Sequence, residues 1–491
     1  MRSFTRWPVA TKSHSEKAPQ GPFSNELECH SAAASLGLAG NDSNMRYAII
    51  SNPRDQISAG LAGAGSVAIV SFNLGRCLAA AGHEVILVAA RGKGQPATET
   101  LGPRLKVLRV RSVLSKLHKY RERAASVFES LPPHFLSRAY FIEYYLGAAL
   151  ALRELQPDII HIQNYAQMAW VFRLIHPRAH IVAHLHDACL AQVSPRVGKR
   201  VLGGADLVVT CSDYVTQSVG EAQAEHDFFI RTVNNGVDAS DFRPQETSAA
   251  DRDSSLRLAY VGRLSPEKGP HILIDAFNQI VERVPDARPE LIGGPALFSY
   301  AVVKIFKRDP HWSSLKKFYG STFVQRLMRS ATEPGAAYAD SLKSRQSPQA
   351  ARNTRFLGEQ PHPAIASIIA DTDVVVVPSV CDEPFGIPAV EAMAAGVPVV
   401  ASAAGGLKGI VQNGQNGLLV PRSDATALAD AVVSLADPQR RASMARAARE
   451  TVQKRFTWEN VASNLLRALT ESELITASAA SNPTSATGRP H

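Results

Sequence analysis

Apolar runs of strand length alternate along most of the chain with stretches whose apolar residues recur every three or four positions. That alternation predicts parallel βαβ units, because parallel strands need crossover connections and strands covered on both faces read as continuous apolar runs. In the first half, Tyr47–Ile50, Val85–Val88, Val107–Val110, Ile159–Ile162, Ile181–His184 and Leu207–Thr210 are the expected strands, with a helix over Val67–Ala81. A second set comprises Leu256–Val261, Leu291–Ile292, Thr354–Leu357, Val374–Val377, Val397–Ala401 and Leu418–Val420. The expectation is an α/β chain with two doubly wound parallel sheets, each a Rossmann-like domain.

The pattern also sets boundaries. Residues 1–44 are rich in Ser, Ala, Pro and Asn without period, and a strand begins abruptly at Met45, so this stretch is expected to be a disordered extension or Met45 the true start. The first domain then covers 45–243 and the second 256–470. Between them Pro244, Glu246, Asp251, Arg252 and Asp253 break the apolar rhythm and mark 244–255 as a linker. Residues 295–350 are long for a connection and read as an insertion without an assigned role, and 471–491 read as a disordered tail.

Composition narrows the class. At 491 residues the chain suits two domains, and no apolar run nears the roughly 20 residues that span a bilayer. The first 44 residues carry Arg2, Arg6, Lys12 and Lys17 but no apolar signal core. The five cysteines are scattered and never form C-x-x-C, which argues against a disulfide framework or zinc cluster and fits a cytoplasmic location. The net charge of +9 favours phosphate-bearing ligands or an anionic membrane surface. A nucleic-acid partner is not expected, since there is no reader motif and no basic face interleaved with aromatics. Ser112–Leu131, with Lys116, His118, Lys119, Arg121 and Arg123, is a candidate for peripheral contact with an anionic membrane, although such a stretch is more often a solvated helix face.

Four segments carry candidate chemistry. Glu383 and Glu391 bracket E-P-F-G-I-P-A-V-E, which follows Val374–Val377 and runs into a helix ending near Gly396. Glu383 is thus expected at a strand's carboxyl end, where open α/β sheets bind ligands, and Glu391 inside the next helix, whose N-terminus offers N–H groups to an anion. Arg263 and Lys268 flank the loop V-G-R-L-S-P-E-K-G before another helix, a setting for gripping a diphosphate. Gly60–Ser66 is a glycine-rich loop after the opening strand, but its spacing is not G-x-G-x-x-G, which disfavours NAD. His161, His184 and His186 lie at or past strand ends, where a ring could meet a sugar hydroxyl. His184 and His186 share a strand face, yet a metal site needs more ligands than these supply, so no metal is expected. Eight residues along a helix would separate Glu383 and Glu391 by about 12 Å. That exceeds the roughly 5 to 9.5 Å of a glycosidase pair. Recognition of separate hydroxyls is the better role.

Together these segments resemble the retaining GT-B glycosyltransferases of family 4, the glycosyl transferases group 1, from about Met45 to Leu469. The likeness rests on E-x7-E from Glu383 to Glu391, continuing through E-A-M-A-A-G-V-P-V-V-A-S, Gly405-Gly406 and N-G-Q-N-G-L-L-V. V-G-R-L-S-P-E-K-G, the G-H-E-V turn at Gly82–Val85, and Asn235-Gly236-Val237-Asp238 with Phe242 and Pro244 support it. The resemblance implies transfer of a sugar from a nucleotide-diphosphate donor, of UDP or GDP type, to a glycan, lipid-linked or small-molecule acceptor, with retention and without metal or other cofactor. It implies that Glu391 holds the ribose, Glu383 the donor sugar, backbone groups at Phe385, Gly386 and Ile387 the sugar and phosphates, and that Arg263 and Lys268 neutralise the diphosphate. Gly65 matches the first of the family's paired glycines, while Ser66 departs from the second. His186 matches the family's sugar-contacting histidine, with His161 as second choice. The competing readings are a nucleotide-sugar epimerase on the same architecture and a catalytically silent sugar-binding protein; the latter would be marked by loss of Glu383, Arg263 or Lys268, all of which are present.

Overall fold

The computed structural model describes residues 44–58, 65–128, 133–244, 255–298, 300–303, 305–306, 309–319 and 334–474. The extension expected over 1–44 lies outside them but for its last residue, as do most of the linker and the tail from 475.

Two parallel sheets organise the chain. Strands β1 (Arg46–Ile50), β2 (Glu84–Ala90), β3 (Thr98–Gly102), β4 (Leu105–Val110), β5 (Ile159–Gln163), β6 (His180–Leu185), β7 (Leu207–Thr210) and β8 (Ile230–Thr232) form the first. Their order is β3-β4-β2-β1-β5-β6-β7-β8, antiparallel only between β3 and β4. The second holds β9 (Arg257–Val261), β10 (Arg288–Ile292), β11 (Arg355–Gly358), β12 (Val374–Val377), β13 (Val399–Ser402) and β14 (Gly417–Val420), in order β11-β10-β9-β12-β13-β14. The strands β3 and β8 escape the apolar pattern. The first, T-E-T-L-G, is an edge strand with one fully buried side chain, and the second is only three residues long.

Each sheet reverses its winding once, between β1 and β5 in the first and between β9 and β12 in the second. At such a switch point the loops leaving adjacent strands diverge to opposite faces and open a crevice at the carboxyl ends. The second crevice is therefore bounded by the loop after β9, which carries Arg263 and Lys268, and the loop after β12, which carries Glu383. Val374, Val375 and Val376 are fully buried between layers of helix, each contributing about 1.5–3 kcal/mol by burial. This fixes the floor from which the Glu383 loop departs.

The last helix, Trp458–Glu471, does not stay with the second domain as the expected boundary at 470 would have it. Trp458, Val461, Leu465 and Leu469 enter the core beneath the first sheet, beside Tyr47, Leu74 and Leu87. A Cβ on Gly236 would come within 2.7 Å of the Trp458 ring, so the glycine of N-N-G-V-D lets this helix seat. Residues to Leu474, only 9% exposed, extend that packing into the expected tail. A second bridge joins the domains near the cleft, where the Ser212 hydroxyl donates to the Pro384 carbonyl.

Candidate active site

A cavity of about 820 Å³ lies between the two sheets' carboxyl ends. Its second-domain wall includes Arg263, Glu267, Lys268, Glu383, Phe385, Gly386 and Ile387, and its first-domain wall includes Ser66, His134, Tyr165, His186 and Asn235.

Lys268 and Glu383 meet because two tight turns bring their loops together. Gly269 has φ +71°, and any Cβ there would sit 1.9 Å from the Pro378 carbonyl oxygen. Gly405 plays the same part beneath Glu383: its Cβ would lie 2.3 Å from the Glu383 carbonyl, which accepts from Gly406 N–H at 2.7 Å. Lys268 Nζ donates to both Glu383 oxygens at 2.7 and 2.8 Å, and Ser379 Oγ donates to Oε1 at 2.5 Å. Burial pushes the Glu383 carboxyl up, but Lys268, Ser379 and Arg263 outweigh it and hold the group below the usual carboxylate range.

Arg263 is aimed by a residue that sequence reasoning passed over. Glu267, buried at 4% exposure, accepts from Arg263 Nη2 at 3.2 Å and from Ser265 Oγ at 2.6 Å. The Tyr319 hydroxyl also donates to it. The guanidinium lies 4.1 Å from the centre of the Phe298 ring. Tyr319 and Phe298 belong to the insertion, to which the sequence assigns no role; its Leu297, Phe298, Phe306 and Trp312 form part of the cavity wall. Only the density of aromatic residues in this stretch hints at it.

The helix Ile387–Ala394 starts at Gly386, whose φ is +117°, and its first N–H groups lack intrahelical acceptors. Glu391 lies one turn further in, and it is not on the cavity wall. It is 6% exposed and holds His362 Nε2 at 2.9 Å. That hydrogen bond, more than the opposing burial, raises the His362 pKa above its ordinary value.

The three first-domain histidines stack in a row, His161 on His184 at 5.2 Å and His184 on His186 at 4.1 Å between ring centres, and only the last reaches the cavity. His186, just past the end of β6, lines the cavity. Its Nε2–H donates to the Gln163 side-chain oxygen at 2.6 Å, and its backbone N–H donates to Asn164 Oδ1 at 2.9 Å. An amide oxygen only accepts, so Nδ1 remains as an acceptor. Burial lowers the pKa to about 4, partly offset by Asn235. His161 and His184, expected to face the crevice, instead lie inside, with 0% and 1% exposure. His161 is central in β5, two residues short of its end, where the sheet continues on both sides. It bonds the Tyr47 hydroxyl at 3.0 Å and His184 Nδ1 at 3.2 Å, and burial lowers its pKa to about 3. Neither is a cavity residue.

A further histidine pair went unnoticed in the sequence because its members are distant and flank no strand. His118 Nε2 faces Glu143 Oε2 at 3.1 Å, and His118 Nδ1 faces His134 Nε2 at 2.9 Å. Since a carboxylate only accepts, His118 Nε2–H donates to Glu143, and with its Nδ1 bare His118 takes a hydrogen bond from His134 Nε2–H. His134, on the cavity wall, is left with Nδ1 as its acceptor. Burial, then Arg121 and His118, lower its pKa to about 4 against the pull of Glu122.

Gly65 caps the helix Ser66–Ala80, and Ser66 reaches the cavity; the preceding loop, 59–64, lies outside the described residues. Among the described residues no three His, Cys, Asp or Glu side chains converge to hold a metal ion.

The sequence places this geometry in a known lineage. Residues 67–241 match the family described as Glycosyltransferase Family 4, and residues 243–451 match glycosyl transferases group 1. A D-inositol 3-phosphate glycosyltransferase of Kribbella flavida is 31% identical over 454 residues, spanning 86% of this chain and 95% of its own. Its counterpart in Thermomonospora curvata is 30% identical over 454 residues, spanning 85% and 93%. Among solved structures, sucrose-phosphate synthase from Thermosynechococcus elongatus shares the fold, with TM-score 0.65 and 24% identity over 88% of this chain and 99% of that one. So does Anabaena HepE in complex with UDP and glucose, with TM-score 0.54 and 21% identity over 87% and 99%. The chain belongs to the group 1 glycosyltransferases of family 4, with the two Rossmann-like domains of the GT-B arrangement.

Proposed function

We propose that this glycosyltransferase moves a hexose from a nucleotide-diphosphate sugar to a hydroxyl acceptor with retention of configuration, without a metal or other cofactor. The observation that carries the reading is the convergence of Arg263, Lys268 and Glu383 at the β9/β12 switch point, opposite His186. The diphosphate would lie against the two cations and the N-terminus of Ile387–Ala394, with backbone at Phe385, Gly386 and Ile387. Glu383 and His186 would take sugar hydroxyls, and Glu391, which lies behind the cavity wall and is held by His362, would have to open toward the cleft to take the ribose. As the anomeric C–O bond to phosphate breaks and the acceptor oxygen bonds to that carbon, negative charge grows on the leaving phosphate. Fixed cations stabilise that charge, and the leaving oxygen takes the acceptor's proton. Because the HepE complexes hold UDP and UDP-glucose, UDP-glucose is the first donor to try.

The test is incubation with UDP- and GDP-sugars and an acceptor panel, following diphosphate release and the product's anomeric signal by proton NMR. Release with an unchanged anomeric configuration supports the reading. Inversion removes the retention claim, an isomerised donor without transfer favours an epimerase, and binding without turnover favours a silent binding protein.

A peripheral membrane contact is a second reading, with the enzyme working on the cytoplasmic side. The helix Ser115–Val127 borders the cavity through Glu122, and Leu117, Tyr120 and neighbouring Val113 and Phe128 are exposed beside Lys116, Lys119, Arg121 and Arg123. Among the described residues no helix is long and apolar enough to cross a membrane. Salt-sensitive co-sedimentation with anionic vesicles would support the contact, and its absence would remove it.

A further inference from the structure

We infer that the acceptor is an uncharged hydroxyl compound with an apolar body, and not a phosphorylated one; this rests on the glycosyl-transfer reading above and narrows it. Aromatic rings occupy both walls of the cavity. From the insertion come Phe298, Phe306 and Trp312, with Phe306 stacked on Trp312 at 4.9 Å and Phe298 tilted against it at 5.9 Å. From the first domain come Phe135, Tyr140 and Tyr165, the two tyrosine rings 4.9 Å apart. Facing aromatic walls favour a ring or chain that gives up its water readily; Phe135, Tyr165, Phe298 and Phe306 are half-buried and keep surface for it, while Trp312 and Tyr140, 6% and 3% exposed, stand behind them.

The charges point the same way. Among the described residues, the cavity's cationic side chains are Arg54, Arg263 and Lys268. Arg263 and Lys268 stand on the donor side. Arg54 Nη2 is held by Glu122 Oε2 at 2.7 Å. The acids Glu122, Asp187, Asp309 and Asp382 share the cavity, and His134 and His186, with pKa values near 4, are uncharged at neutral pH. On this wall Arg54 is the one cation among the described residues, so a phosphate dianion would have to compete with the Glu122 carboxylate for it. Hydroxyls fare better, because carboxylates and the bare Nδ1 of His134 accept their hydrogens. The chain thus differs at its acceptor wall from what the names of its inositol-phosphate relatives would suggest.

The experiment compares, with one donor that the enzyme uses, 4-nitrophenyl and octyl glycosides against D-myo-inositol 3-phosphate and glucose 6-phosphate. The expected result is kcat/KM about tenfold or more higher for the neutral pair, with Phe135→Ala, on the first-domain wall, raising their KM by a similar factor while the donor KM stays put. Phe135→Tyr, which keeps a ring, is expected to recover most of the acceptor KM and so controls for folding. Preference for a phosphorylated acceptor, or an apolar-acceptor KM indifferent to Phe135→Ala in folded protein, overturns the inference. Donor binding is measured separately by calorimetry, so a chain that neither binds nor cleaves any nucleotide sugar fails the glycosyl-transfer reading itself. Presenting the octyl glycoside free and then in vesicles separates a soluble from a lipid-borne source: faster transfer in vesicles assigns the apolar body to a lipid anchor, and equal rates assign it to a soluble aglycone.

Discussion

Lys268 and Glu383 are joined by a two-point ion pair on the wall of the cleft, with Nζ 2.7 and 2.8 Å from the carboxylate oxygens. The cation proposed for the diphosphate is thereby held by the acid proposed for the sugar. A bound diphosphate would draw Lys268 toward itself and release Glu383 to the sugar, coupling the two halves of donor recognition.

This coupling predicts opposite effects of one substitution. Glu383→Gln removes a negative charge near the phosphates and frees Lys268, so a bare nucleoside diphosphate should bind about three- to tenfold more tightly. Sugar transfer should nevertheless fall by about 100-fold or more. Calorimetry with the diphosphate and steady-state kinetics with the full donor check the two arms, and a parallel loss in both would contradict the coupling.

His186 makes a different prediction, since it lines the cavity and its ring is neutral. His186→Ala should cost about tenfold or more in transfer with little change in diphosphate affinity, the loss of one hydrogen bond realised with the sugar. With a pKa near 4, the histidine should add no ionisation to the pH–rate profile between pH 5 and 8. A profile limb in that window that vanished in the variant would count against a neutral His186.

The pair His362–Glu391 sets a pH dependence of stability with a definite sign. The folded pKa of His362 is raised above its unfolded value of about 6.5. Its stabilisation is therefore complete below about pH 6.5 and fades as pH rises through the folded value. Denaturant melts from pH 6 to 9 should show this fade in the wild type and not in His362→Gln.

Two structural links can be tested without substrate. Trp458→Ala empties a buried site between the last helix and the first sheet and should cost about 3–5 kcal/mol. His118→Leu leaves the Glu143 carboxylate and His134 Nε2–H without their partner and should cost about 1–3 kcal/mol, with the His134 nitrogen shifts losing their single-tautomer signature in NMR.

The sequence revealed those parts of the site that local chemistry dictates. Val374–Val377 had to be a buried strand, so Glu383 had to leave from its carboxyl end, and the Gly269 and Gly405 turns then close the loops on one another. The histidines show where such reading stops. His161 and His184 sit in the same kind of apolar run as His186, yet strand register carries the first two into the sheet, and only the residue beyond the strand's end reaches the cleft. Partners brought together by tertiary packing left less trace still: Glu143 with His118, the insertion's aromatics with Arg263, and Trp458 with a domain more than 200 residues upstream.

Calorimetric titration of UDP and GDP into the wild type and an Arg263→Ala/Lys268→Ala double variant tests the central claim most directly. The account predicts binding of at least one diphosphate by the wild type and a loss of about 100-fold or more in the variant, from two charge-assisted contacts of about 1.5–3 kcal/mol each. Equal affinity in the two proteins, with the variant folded, would contradict it.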